Sequence, residues 1–192
     1  MTAADKVTAV RLVLAPFFFV VYLGPAWFSM PASWTVPVLW VLFIVAEITD
    51  LIDGKLARSR NEVSDFGKLF DPFADTLVRI TYFLCFVVDG ILPSILLLVV
   101  LYREFGILFL RTLMMKHGIA MGASFGGKIK AVAYMATGVV ALLASSSRRL
   151  GLNPDYFTIL KTTAIVFFLI SVVLSLSSFR EYFRTYKNAG KK

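Results

Sequence analysis

Asp50-Leu51-Ile52-Asp53-Gly54-Lys55-Leu56-Ala57-Arg58, followed after a short link by Gly67-Lys68-Leu69-Phe70-Asp71-Pro72-Phe73-Ala74-Asp75, sets four carboxylates between two long apolar runs. Asp50 and Asp53 are three residues apart and Asp71 and Asp75 four apart, so on helices each pair shares a face. One run leads into the stretch and the other leads out, so the two faces can meet near one end of a bundle. An Asp at the bilayer centre costs about 2.5–3.5 kcal/mol on an insertion scale, and less near an interface. Like charges in one small site also resist joint ionisation. Hard divalent cations relieve both penalties, because magnesium and manganese prefer carboxylate oxygens. Two such ions side by side can clamp the attacking and leaving oxygens of a phosphoryl displacement. Gly54, Ala57 and Gly67 are interleaved with the acids and leave room for a flat base or a phosphate. The residues alone also allow a plainer reading, in which Asp50 and Asp53 are interfacial acids paired with Lys55 and Arg58, and the small residues let helices approach closely.

Outward from this stretch the chain is apolar. Of 192 residues, 58% are hydrophobic, and the mean hydropathy is +0.79. A soluble chain of this size could not hide so many long apolar runs, whereas a spanning helix needs roughly 20 such residues. The expected fold is an all-α integral membrane protein, a single domain over 1–192. Its six transmembrane helices fall near Val7–Phe28, Val36–Asp53, Phe66–Val88, Pro93–Met115, Lys128–Ala144 and Phe157–Phe179. Pro37 would sit in the first turn of the second span, where proline is tolerated.

The net charge of +8 does not imply nucleic acid, because the basic residues cluster at the ends of apolar runs. Lys6 and Arg11, then Lys55, Arg58, Arg60 and Lys68, then Arg111, Lys116, Lys128 and Lys130, and finally Arg180 to Lys192 fall on one side if the spans alternate. The positive-inside rule makes that side cytoplasmic and places both termini there. Arg148, Arg149 and Lys161 break the pattern. Trp27, Trp34 and Trp40 gather near the outer interface. Cys85 is the only cysteine, which excludes an internal disulfide. His117 is also single and reads as an interfacial side chain.

The four-aspartate stretch resembles the signature of the CDP-alcohol phosphotransferases, D-x2-D-G-x2-A-R-x8-G-x3-D-x3-D. Asp50, Asp53, Gly54, Ala57, Arg58, Gly67, Asp71 and Asp75 fill every fixed position without insertion. The resemblance implies a homodimer of six-helix subunits whose active site opens to the cytoplasm. It also implies two divalent ions, Mg2+ or Mn2+, on Asp50, Asp53, Asp71 and Asp75. CDP would pack against Asp50, Gly54, Ala57, Arg58 and Gly67, and Asp75 would act as the general base.

Within the family, three further segments are similar to phosphatidylglycerophosphate synthases, which join CDP-diacylglycerol to glycerol 3-phosphate. Thr8-x-x-Arg11 matches the end of an N-x-x-T-x-x-R pattern, with Asp5 in place of Asn. Arg103-Glu104 followed by Arg111 matches a segment on the fourth span, and Gly127-Lys128-Ile129-Lys130 matches G-K-x-K-T-x-x-Q. The chain departs from these patterns at Ala131, at Tyr134 (in place of Gln) and at Thr76 (in place of Lys). Arg103, Arg111, Lys128 and Lys130 are candidates for an acceptor phosphate, since the acids alone would repel one. Arg103 and Glu104 fit equally well as a structural ion pair. Other acceptors in the family are inositol phosphate, serine and choline. A reading from another class makes the acids the site of a small cation transporter.

Overall fold

The computed structural model describes residues 3–59, 65–116 and 125–189. They form six helices: α1 (Ala3–Phe28), α2 (Ala32–Ser59), α3 (Asp65–Val88), α4 (Ser94–Lys116), α5 (Phe125–Arg149) and α6 (Pro154–Ala189). His117 lies outside the described residues. Four helices carry a stretch long and apolar enough to cross a membrane: Thr8–Phe28, Ala32–Thr49, Ile129–Arg149 and Pro154–Arg184. α3 and α4, with 24 and 23 residues, reach about 36 and 34 Å at 1.5 Å per residue, comparable to the hydrocarbon thickness. Their apolar stretches are interrupted by charge, with Asp71, Asp75 and Arg79 on one and Arg103, Glu104 and Arg111 on the other.

The helices outrun the apolar segments of the sequence. α2 continues through Asp50–Arg58 to Ser59, because Leu51, Ile52, Leu56 and Ala57 carry it and no proline stops it. Its start at Ala32 puts Pro37 inside the helix rather than in its first turn. α5 absorbs Ser145–Ser147 and reaches Arg149. Ser146 and Ser147 donate back to the carbonyls of Leu142 and Ala144, at 2.7 and 2.9 Å, and so stay helical. α6 has 36 residues, about 54 Å of helix against a hydrocarbon layer of about 30 Å.

The turns at one end of the bundle share a device. Gly90 and Gly151 both take positive φ. The amides of Ile91 and Leu152 then reach back to the carbonyls of Phe86 and Ser147, at 2.8 and 3.0 Å, ending α3 and α5 in the manner of a Schellman motif. Asn153 caps α6 through the Asp155 amide at 2.9 Å, with Pro154 opening the helix.

α1 is the spine of the site half of the molecule, packing along both α2 and α3. α2 and α3 meet where the Phe43 ring lies 5.2 Å from that of Tyr82, which also packs at 4.5 Å on Phe18 of α1. On its other side α3 sends Phe83 against Phe168 of α6 and Tyr134 of α5. α5 and α6 pack closely through Ala141, Ala144 and Ala164, all fully buried. Large apolar side chains such as Val13, Phe17, Val41, Phe109 and Val173 face outward, the inverse of a soluble surface and the pattern a lipid solvent selects.

Candidate active site

Two matched turns build the centre of the site. On α1, Thr8 and Arg11 are three residues apart and almost wholly buried. On α3, Asp71 and Asp75 are four apart and half-buried. Thr8 Oγ1 donates to Asp71 Oδ1 at 2.8 Å, and the Arg11 guanidinium pairs with Asp75 Oδ1. The T-x-x-R turn of α1 is therefore in register with the D-x3-D turn of α3. In the sequence the first was only a point of likeness; its structural role is to orient two of the acids. A buried ion pair is costly to break, because removing one partner strands the other charge, typically at about 3–5 kcal/mol.

Asp50, Asp53, Gly54, Ala57 and Arg58 all lie on α2, and Lys128 on α5, with their side chains outside the described part of the structure. Gly67 is buried in the first turn of α3. Among the described residues no group of three or more His, Cys, Asp and Glu is placed to hold a metal ion. The donor chemistry of the described pair nevertheless suits one, because carboxylate oxygens are the ligands hard cations prefer.

Two residues absent from every sequence-level candidate join this centre. Glu47 of α2 and Arg79 of α3 line a small cleft together with Arg11, Ala46, Asp75 and Val78. Helical spacing held the clue, since Glu47 lies one turn before Asp50 and Arg79 one turn after Asp75. The Arg79 guanidinium sits over the Tyr134 ring of α5, 5.1 Å from its centroid.

Behind Tyr134 lies a second charged cluster. Glu104 Oε1 accepts from Arg103 at 2.9 Å, from Lys130 Nζ at 2.8 Å and from the Tyr134 hydroxyl at 3.4 Å. Arg103 also donates to the Ser175 carbonyl and to Ser178 Oγ on α6. Arg103 and Lys130 are thus brought together on one carboxylate, and Arg103 ties α4 to α6. Arg111, two turns beyond Glu104, donates to the Tyr182 hydroxyl at 3.0 Å and stacks on that ring.

The family model for CDP-alcohol phosphatidyltransferases matches residues 1–177. The chain belongs to that family. A CDP-diacylglycerol–glycerol-3-phosphate 3-phosphatidyltransferase of Treponema pallidum (strain Nichols) is 37% identical over 97% of this chain and 89% of its own length. An enzyme of the same name from Bacillus subtilis (strain 168) is 34% identical over 66% of this chain and 68% of its own length. A cardiolipin synthase (CMP-forming) of Streptomyces coelicolor is also 34% identical, over 62% of this chain and 54% of its own length. The Thr8–Asp71 and Arg11–Asp75 contacts join α1 to α3 at the acids of the family signature.

Proposed function

We infer that this protein is a CDP-diacylglycerol–glycerol-3-phosphate 3-phosphatidyltransferase, which moves a phosphatidyl group to glycerol 3-phosphate and releases CMP. The observation that carries the reading is likeness to the Treponema enzyme along almost the whole of both chains. The registered T-x-x-R and D-x3-D turns at the acids support it. We place the chain as one transmembrane domain over 1–192, with six spans, both termini and the site on the cytoplasmic side, and a homodimer as the working unit.

In the mechanism, Asp75 takes the proton of the acceptor's primary hydroxyl. That oxygen bonds to the β-phosphorus of the donor, the bond from this phosphorus to the CMP oxygen breaks, and CMP leaves. Arg11 fixes the Asp75 carboxylate and lowers the cost of its charge in a dry site. Thr8 does the same for Asp71. Mg2+ or Mn2+, two per site, would be held by Asp50, Asp53, Asp71 and Asp75, and would supply positive charge for the pyrophosphate and a more acidic hydroxyl. Asp50, Gly54, Ala57, Arg58 and Gly67 receive the CDP moiety. Arg111, Lys128 and Lys130 receive the acceptor phosphate, with Arg103 acting from behind through Glu104. The Arg111 Nε, buried without a hydrogen-bond partner among the described residues, favours a ligand there, because buried donors are rarely left unpaired.

A second acceptor class has one observation in its favour, the cardiolipin synthase among the relatives. The deciding experiment measures CMP release by purified protein with CDP-diacylglycerol, Mg2+ or Mn2+, and a panel of alcohols. Turnover with glycerol 3-phosphate and not with phosphatidylglycerol, inositol phosphate, serine or choline is expected. Release with another alcohol alone would reassign the acceptor, and no release with any, alongside cation uptake in vesicles, would remove the enzyme reading.

A further inference from the structure

We propose that the cleft between α1, α2 and α3 is a subsite for the acceptor's second, unreacting hydroxyl, and that Glu47 and Arg79 read it. The proposal rests on the glycerol 3-phosphate reading and concerns a part of that substrate to which nothing has yet been assigned. Its starting point is place. The cleft has Asp75 in its wall, so a group held in it lies beside the carboxylate that takes the proton. In glycerol 3-phosphate the carbon next to the attacking hydroxyl carries the second one.

Size narrows the occupant. The cleft has room for a water-sized group between its side chains. One hydroxyl matches that room. Chemistry narrows it again. The lining offers two carboxylates, Glu47 and Asp75, and two guanidiniums, Arg11 and Arg79, between the apolar walls of Ala46 and Val78. A hydroxyl both donates and accepts, so it can give its hydrogen to Glu47 and take one from Arg79. The carboxylate–guanidinium pair leaves the cleft without net charge, which matches a neutral group better than an ionic one.

The readers are also held in place. Arg79 is backed by the Tyr134 ring, and the Tyr134 hydroxyl is itself bonded to Ser175 Oγ at 3.0 Å. Arginine on an aromatic face loses less freedom per hydrogen bond than a lysine in the same position. Sites built to bond a substrate hydroxyl reject analogues that lack it more strongly than apolar pockets reject an extra methylene, because the polar groups are left unpaired.

The test compares kcat/KM for glycerol 3-phosphate with that for 3-hydroxypropyl phosphate, the same acceptor without its second hydroxyl. Wild-type protein is expected to prefer glycerol 3-phosphate by about 30-fold or more, within the range such hydroxyl-reading sites reach. Glu47→Ala should compress that preference to about threefold, because kcat/KM for glycerol 3-phosphate falls further than that for the deoxy acceptor. Arg79→Lys should compress it partly. A wild-type ratio near one overturns the proposal without any variant. So does a Glu47→Ala protein that still turns over glycerol 3-phosphate with the ratio intact. Absence of CMP release by wild type with either acceptor would instead bring down the acceptor assignment and the subsite with it.

Discussion

Asp75 lies within α3 and Asp89 just past its end, and each meets arginine, but the surroundings differ. Asp75 pairs with Arg11 of α1 and borders a cleft. Asp89 is wrapped: its Oδ2 accepts from the Tyr22 hydroxyl at 2.7 Å and from Ser145 Oγ at 3.0 Å. Arg148 grips its Oδ1 at 2.5 Å and its carbonyl at 3.0 Å. Arg149 adds a longer contact at 3.7 Å, while stacking on Tyr22 and bonding the Tyr22 carbonyl. The Asp89 knot joins α1, the α3–α4 turn and α5, and it spends its polar groups on one another. The Asp75 end keeps space beside a charge. An ion pair wrapped by its own fold serves cohesion, whereas one facing a cleft can serve a substrate.

The largest expected effect separates the two ends. Asp75→Asn keeps size and polarity but gives up the charge and the proton-accepting oxygen. Turnover should fall by about 10^3-fold or more, as for loss of an essential base. Donor binding should persist in the protein that remains folded. Measured CMP release near the wild-type rate would take Asp75 out of the base role and erase the contrast with Asp89.

Asp89→Ala should do the opposite. It strands Arg148 and Arg149 and removes the acceptor of the Tyr22 hydroxyl. The Arg148 side chain is 41% exposed and can recover water, so the cost is set between a surface pair and a buried one, about 1–3 kcal/mol. For a chain of this length that is about 3–10 °C in unfolding temperature. Activity assayed well below that temperature should stay within about threefold of wild type. If turnover collapses while the protein remains folded, the knot is coupled to the site and is not merely a clasp.

The knot also shows what the sequence conceals. Arg148 and Arg149 break the positive-inside pattern, and the expected fifth span stops at Ala144, short of Ser145–Ser147. In the fold Asp89, a residue far off in the chain, pairs with both arginines, and Ser146 and Ser147 bond back within α5. The acid pairs were legible because one-turn spacing fixes a face whatever the surroundings. Arg103 and Glu104 were ambiguous for the converse reason: adjacent helical residues do not normally face each other, and only Lys130 and the α6 partners of Arg103 make their pairing intelligible. Glu47 and Arg79 went unseen because each is a single charge in an apolar run, meaningful only when α1 brings α2 and α3 together around a cleft.

The smallest effect tests whether the site end has cohesive parts of its own. Tyr182 lies on the long extension of α6, and its hydroxyl accepts from Arg111 while its ring supports the guanidinium. Tyr182→Phe deletes the hydrogen bond and keeps the ring, which leaves the cation–π contact in place. A hydrogen bond of this kind is worth about 0.5–1.5 kcal/mol, so KM for glycerol 3-phosphate should rise by about 2–10-fold, with kcat nearly constant. That split belongs to a residue that positions a phosphate-binding arginine, since uniform loss of acceptor binding raises KM alone. A fall in kcat at constant KM would place Tyr182 in the chemical step. A lowered unfolding temperature with unchanged kinetics would make the α6 extension a second clasp, like the knot at Asp89, and would narrow the difference between the two ends.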